Sequence, residues 1–62
     1  MTVKAEIYLD FHLKHGISPA IILSAMEDNG EETAVIKNVI GLFEYEGYTE
    51  ASIRLAMRDL QE

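Results

Sequence analysis

Residues 3–13 read Val-Lys-Ala-Glu-Ile-Tyr-Leu-Asp-Phe-His-Leu, and the structure of this stretch decides the fold. Every odd position is apolar, and every even position is polar or amphipathic. Alternation with period two favours a half-buried strand, because successive side chains of a strand point to opposite faces. The competing prediction is a helix over residues 3–14, since Lys14, His15 and Gly16 form a typical helix C-terminus. We favour the strand and keep the helix as the alternative.

Three helices are predicted to follow, over residues 19–28, 32–46 and 50–61. Ser18 is suited to cap the first of them, and Pro19 suits a first helical position because it lacks an N–H. The second has apolar residues at helical spacing from Val35 to Phe43. Thr49 is suited to cap the third, whose apolar stripe recurs at i, i+3, i+4 and i+7. The predicted order is strand, helix, helix, helix.

The chain of 62 residues is expected to form a single small domain over residues 1–62. A lone strand leaves its backbone N–H and C=O groups without partners. No second segment alternates, so we predict that the strand pairs with its equivalent in another copy. This makes the protein a mostly helical α+β homodimer. In the alternative, an all-α domain of four helices, the helix over residues 3–14 is apolar on two sides, which again suggests burial between subunits.

The alternating strand is followed by a Ser18-Pro19 helix start, an Asp28-Asn29-Gly30 turn and a second amphipathic helix. This order over residues 3–47 resembles the ribbon-helix-helix family. The resemblance implies a dimeric, DNA-binding transcriptional regulator whose paired strands enter the major groove. It also implies that the outward side chains of the ribbon are Lys4, Glu6, Tyr8, Asp10, His12 and Lys14.

The formal net charge of −6 lies in the middle of the chain. Residues 27–50 hold seven acids and one lysine, and outside this segment four acids balance four bases. An acidic field repels nucleic acid phosphates and attracts basic protein surfaces. The charge therefore disfavours nucleic acid as a partner. Two of the six outward ribbon residues are acidic, and Glu31 and Glu32 precede the helix whose N-terminus would meet phosphate.

The sequence accordingly predicts a small acidic interaction module, a regulator or inhibitor, that binds a basic surface of another protein without catalysis. Tyrosine is enriched at interface hot spots, so tyrosines among acids indicate a protein contact. The expected contact residues are Glu44, Tyr45, Glu46, Tyr48 and Glu50, within a wider acidic field of Glu27, Asp28, Glu31 and Glu32.

Catalysis and cofactor binding are not expected. The chain has no cysteine, which removes a thiol nucleophile and a cysteine zinc site. His12 and His15 would point to opposite faces of a strand, although on a helix they would share a face. The acids of residues 27–32 are too compact for a calcium loop. No apolar run approaches the roughly 20 residues of a membrane span, and we expect a cytoplasmic protein.

Overall fold

The computed structural model describes residues 3–61, which fold into four α-helices joined by connections of three or four residues. The helices are α1 (Val3–His15), α2 (Pro19–Asp28), α3 (Thr33–Tyr45) and α4 (Glu50–Gln61). Residues 3–61 contain no strand. None of the helices in this range combines the length and the hydropathy that a membrane span requires.

The strand predicted for residues 3–13 is wrong, because this stretch is α1. Ala5 is fully buried, and Tyr8 and Leu9 pack against the core from the same side of the helix. A helix also pairs its own backbone N–H and C=O groups, whereas a strand would need a second chain. The cost is that the other apolar residues of the alternation stay outside the core, at Val3, Ile7, Phe11 and Leu13.

The signal that correctly identified α1 lies at its C-terminus. Gly16 follows the helix with φ +69°, a conformation that glycine adopts without strain. Its N–H donates a hydrogen bond to the carbonyl of His12 at 3.0 Å, and the N–H of Ile17 donates to the carbonyl of Phe11 at 3.3 Å. This glycine cap satisfies carbonyls that the helix end would otherwise leave free.

The predicted ribbon-helix-helix architecture is also wrong, because it requires a strand at residues 3–13. Within residues 3–61 there is no strand to pair across a dimer or to enter a DNA groove. The all-α alternative, in which residues 3–14 are helical, agrees with the structure. The fold is therefore all-α, with four helices, rather than α+β.

The other three helices begin and end within one residue of their predicted bounds. Both predicted caps are present. The Ser18 hydroxyl accepts a hydrogen bond from the Ile21 N–H at 3.3 Å, and the Thr49 hydroxyl accepts one from the Ser52 N–H at 3.1 Å. These caps determine where α2 and α4 begin, because each satisfies one of the free N–H groups of a first helical turn.

Apolar residues from all four helices meet in one core, with α1 packed mainly on α3 and α2 mainly on α4. The largest fully buried side chains are Phe43, Leu23, Met26 and Val39. Lys4, near the start of α1, contacts Glu31 just before α3, and the His12 ring lies 5.5 Å from the ring of Phe43. α1 and α3 therefore run in the same direction, and the domain has two distinct ends.

Candidate interaction surface

The nine predicted contact residues lie in two separate places. The first acidic segment, residues 27–32, runs from the end of α2 to the start of α3. The second acidic segment, residues 44–50, runs from the end of α3 to the start of α4. The first contacts Lys4 on α1, and the second contacts His12 on the same helix. Lys4 and His12 are about 12 Å apart along the helix axis, so the two turns lie at opposite ends of α1. The two segments still approach each other at α4, where Arg54 contacts both Glu27 and Glu50.

Glu31 of the first acidic segment is bound to α1. Its carboxylate oxygens accept hydrogen bonds from Lys4 Nζ and Tyr8 Oη, each at 2.8 Å, and its side chain is only 10% exposed. The hydrogen bond from Lys4, followed by that from Tyr8, lowers the pKa of Glu31. The same two contacts raise the pKa of Lys4 and of Tyr8. Glu31 therefore fastens the turn to α1 and offers little charge to a partner.

Glu27 is also engaged within the chain, in an ion pair with α4. Its Oε2 lies 2.8 Å from Nη1 of Arg54, whose Nε lies 3.7 Å from Oε2 of Glu50. The hydrogen bond to Glu27 is the main reason that the pKa of Arg54 is raised. All three side chains are more than a third exposed, so such a pair contributes about 0.2–1 kcal/mol. The acids of the first segment that lie outside these contacts are Asp28 and Glu32.

The second acidic segment presents an exposed tyrosine among carboxylates. Tyr45 is the last residue of α3 and is 87% exposed. Glu44 and Glu46 flank it and are exposed as well, and Glu50 follows at the start of α4. Within residues 3–61, the only ion pair that these three acids form is the long contact from Glu50 to Arg54. An exposed aromatic side chain thus lies in the chain between two exposed acids, Glu44 and Glu46, that form no ion pair within residues 3–61.

Tyr48 belongs to the same segment but has a different role. Its ring centroid lies 5.3 Å from that of His12 and 6.2 Å from that of Phe43, and both contacts are edge-to-face. His12 is held in turn by a hydrogen bond from its Nδ1 to the carbonyl of Ile17 at 2.9 Å. Such ring pairs stabilise packing beyond the area that they bury. Tyr48 therefore anchors the turn, and Tyr45 is the tyrosine left for a partner.

Gly41 adjoins Tyr45 on the outer surface of α3. The two residues are four apart in one helix and so share a face, and with Glu44 they line a shallow concavity of about 360 Å³. A Cβ added at Gly41 would meet nothing within 4 Å. No contact within residues 3–61 therefore requires a glycine at this position, where glycine costs about 1 kcal/mol relative to alanine. The concavity leaves room for a partner's backbone to approach α3.

Sequence reasoning did not identify the residues that form ion pairs and hydrogen bonds with the acids of the first segment. Lys4 and Tyr8 lie 27 and 23 residues from Glu31 in the chain, and Arg54 lies 27 residues from Glu27. No local spacing rule connects residues so far apart. Lys4 and Tyr8 are four residues apart and share a face on a strand as well as on a helix, so their spacing did not indicate which residue they would contact.

Metal-binding groups do not assemble in the part of the chain that the structure describes. Residues 3–61 contain no group of three or more His, Asp or Glu side chains placed to hold an ion. Asp10, which a helical α1 could have offered together with the histidines, instead lies 3.5 Å from Lys14.

A scan against protein-family models matched no family, and searches of curated proteins and of solved structures returned no match. The fold and the site of this four-helix domain are therefore interpreted from their own chemistry.

Proposed function

We propose that this chain is a small acidic interaction module that binds a basic surface of another protein, as a regulator or inhibitor, without catalysing a reaction. The partner meets the second acidic segment, with Tyr45 at the centre and Glu44, Glu46 and Glu50 around it. Asp28 and Glu32 add a weaker field from the first acidic segment. Nucleic acid is not the proposed partner, because these acids repel phosphate.

The observation that carries this proposal is the exposure of Tyr45, at 87%, directly between the exposed Glu44 and Glu46 in the chain. A tyrosine that a partner buries supplies a large contact area, and tyrosines are common hot spots. Opposite charge on the partner would speed the encounter and set its orientation. Because Tyr48 anchors the turn beneath, little ordering is needed when a partner binds, and this favours affinity.

The proposed location is the cytoplasm. The chain has no cysteine and so no disulfide that would need an oxidising compartment to form. An acidic module in the cytoplasm would meet basic protein surfaces that otherwise contact nucleic acid, and occupying such a surface is a direct way to inhibit it.

The experiment that tests the proposal uses a display library of peptides and small domains that covers a wide range of net charge. We expect the wild-type chain to enrich basic clones. The triple variant Glu44→Lys, Glu46→Lys, Glu50→Lys is expected to lose this enrichment while its helical content and thermal midpoint stay close to those of the wild type.

The matched control is Glu6→Lys, Asp10→Lys, Asp59→Lys, which reverses three acids outside the proposed contact residues. Each reversal adds two charges, so both triple variants change the formal net charge from −6 to zero. Enrichment that survives in the control but not in the test variant locates the binding surface at the second acidic segment. Enrichment that survives in the test variant, or an equal loss in both, contradicts this assignment.

A further inference from the structure

A cleft between α2 and the end of α4 combines an apolar wall with polar groups. It encloses about 350 Å³, which lies at the lower end of the range for ligand pockets, about 300–1,000 Å³. The apolar wall includes the exposed side chains of Ile21 and Leu60. The polar lining is contributed by four residues, Ser24, Glu27, Asp28 and Gln61. We refer to this site as the α2–α4 cleft.

Ser24 contributes an unsatisfied hydrogen-bonding group to this lining. Its Oγ is buried and has no hydrogen-bond partner, and among residues 3–61 it is the only buried side-chain polar atom in this condition. A buried hydroxyl without a partner is costly, and native structures hold few of them. Because Ser24 lines the α2–α4 cleft, a ligand in the cleft that donates a hydrogen bond would supply the missing partner.

The charge of the α2–α4 cleft favours a cation. No basic side chain of residues 3–61 lines it, whereas two carboxylates do. Oε2 of Glu27 already accepts a hydrogen bond from Nη1 of Arg54 at 2.8 Å. Asp28 is exposed and forms no ion pair within residues 3–61, so its charge is uncompensated. An anion would be repelled from this cleft, and a cation would gain a carboxylate partner.

A primary ammonium on an alkyl chain matches this combination of groups. An ammonium has three N–H donors and no acceptor, and the cleft offers acceptors on Asp28, Ser24 and Gln61. A compact ammonium can meet separate acceptors, whereas a guanidinium directs its donors within one plane. The methylenes of the chain can lie on Ile21 and Leu60, as lysine stems lie on apolar surface elsewhere.

We propose that the α2–α4 cleft binds the side chain of a lysine of the partner protein, whose ammonium contacts Asp28 and donates a hydrogen bond to Ser24 Oγ. That the ammonium belongs to a protein rests on the proposed function, whereas the preference of the cleft for an alkylammonium group does not. The cleft is linked at α4 to the second acidic segment, because Arg54 contacts both Glu27, which lines the cleft, and Glu50.

The test is a titration of the isotope-labelled chain with a blocked lysine, N-acetyl-lysine methylamide, followed by NMR chemical shifts. We expect saturable shifts in residues 21–28 and 60–61. The blocked norleucine has the same alkyl chain without the ammonium and should bind at least about fivefold more weakly. Added sodium chloride should weaken the binding of the blocked lysine, because salt screens its attraction to Asp28.

Variants of the lining assign the contacts. Asp28→Asn removes the charge, and Ser24→Ala removes the hydroxyl. Each should raise the dissociation constant of the blocked lysine at least about threefold and leave that of the blocked norleucine unchanged. Glu32→Gln, in the same acidic segment but outside the cleft, is the matched control and should follow the wild type. Ser24→Ala should not lower the thermal midpoint, because it removes an unpaired buried hydroxyl.

Three results of the titration would overturn the proposal. Equal affinity for the two blocked amino acids would mean that the cleft does not recognise the ammonium. Shifts as large at Glu44 and Glu46 as in the cleft would mean a general attraction of cations to acids. A free diamine, putrescine, that binds at least about tenfold more tightly than the blocked lysine would assign the cleft to a free polyamine instead of a side chain.

Delivery of the lysine by a partner is tested separately. The titration contains no partner, so its failure leaves the proposal for the second acidic segment intact. Basic clones that the wild-type chain enriches should bind Asp28→Asn and Ser24→Ala more weakly than Glu32→Gln. Clones that bind all three variants equally would show that the partner does not place a lysine in the α2–α4 cleft, even if the blocked lysine binds there.

Discussion

The turns of the two acidic segments share a backbone geometry but are held by different forces. In each turn a glycine follows the helix with positive φ, +71° at Gly30 and +100° at Gly47. The glycine N–H donates to the carbonyl three residues back, and the next N–H donates to the carbonyl five residues back. That second carbonyl belongs to a fully buried apolar residue, Met26 in one turn and Phe43 in the other.

The two turns differ in the residue that follows the glycine. In the first turn it is Glu31, which accepts hydrogen bonds from Lys4 and Tyr8. In the second turn it is Tyr48, which packs on the ring of His12. One helix, α1, therefore fixes both turns, the first through polar groups and the second through an aromatic ring. Glu27 and Glu31 of the first segment hold the fold together, whereas Glu44 and Glu46 of the second segment form no ion pair within residues 3–61.

The largest effect is expected where the aromatic anchor of the second turn is removed. Phe43 contacts both His12 and Tyr48, and its side chain is fully buried. Phe43→Ala should lower the free energy of unfolding by about 3–5 kcal/mol. The free energy of unfolding of a domain of this length is roughly 3–9 kcal/mol in total, so this loss is at least about a third of its stability. Urea denaturation followed by far-UV circular dichroism measures this.

The conservative variant Phe43→Leu keeps most of the buried apolar volume and should cost markedly less. If the free energy of unfolding of Phe43→Ala instead lay within about 0.5 kcal/mol of the wild-type value, Phe43 would not anchor the second turn. The contrast between an aromatic and a polar anchor would then be wrong.

Effects of intermediate size on stability, and of opposite sign, are expected at two glycines near the second turn, Gly47 and Gly41. Gly47→Ala forces a Cβ into the positive-φ turn and should destabilise the domain by about 1–2 kcal/mol. Gly41→Ala lies inside α3 with nothing within 4 Å and should stabilise the domain by about 0.5–1 kcal/mol. Thermal unfolding of both variants measures the two signs.

The same pair of variants also tests the binding surface. If a partner's backbone approaches the concavity beside Tyr45, Gly41→Ala should weaken the enrichment of basic clones although it stabilises the fold. A stabilised Gly41→Ala variant with undiminished enrichment would show that the partner does not use this concavity.

Much of the fold could be predicted from local patterns, and α1 shows where such patterns fail. The caps at Ser18 and Thr49 and the stripes of the last three helices act within a few residues, so their signals are readable. Alternation in residues 3–13 fits a strand equally well whether or not a partner strand exists. What decides the outcome is that one chain can satisfy the backbone of this stretch only as a helix, and the glycine cap at Gly16 was the local sign of it.

The candidate surface was predictable in composition but not in arrangement. Sequence position identified both acidic segments and both tyrosines, because charge and residue type are visible directly. Whether a given acid is free depends on bases that approach from other helices, as Arg54 approaches Glu27. Likewise, Tyr45 and Tyr48 are three residues apart, yet only the second faces His12 across the end of α1. These distinctions require the three-dimensional packing.

The smallest effect is expected at the polar anchor of the first turn, and it depends on pH. The contacts from Lys4 and Tyr8 hold the pKa of Glu31 below its ordinary value of 4.5. Above about pH 4.5 both the folded and the unfolded chain carry the ionised carboxylate, so its contribution to stability is fully present. As the pH falls below this value, the unfolded chain takes up the proton first. The contribution of Glu31 to stability then decreases, and it is lost as the pH passes the lower pKa of the folded chain.

Glu31→Gln removes this charge, and the neighbouring exposed Glu32→Gln is the matched control. The thermal midpoint of Glu31→Gln should lie a few degrees below that of the wild type at neutral pH. This difference should shrink steadily as the pH is lowered below about 4.5. High salt should also reduce this difference, because salt screens the ion pair between Glu31 and the exposed Lys4. The ring contact of Tyr48 in the other turn is weakened less. Glu32→Gln should follow the wild type throughout, because its side chain caps no helix and fastens no other element. A difference that is independent of pH, or an equal effect at Glu32, would mean that the first turn does not rest on the charge of Glu31.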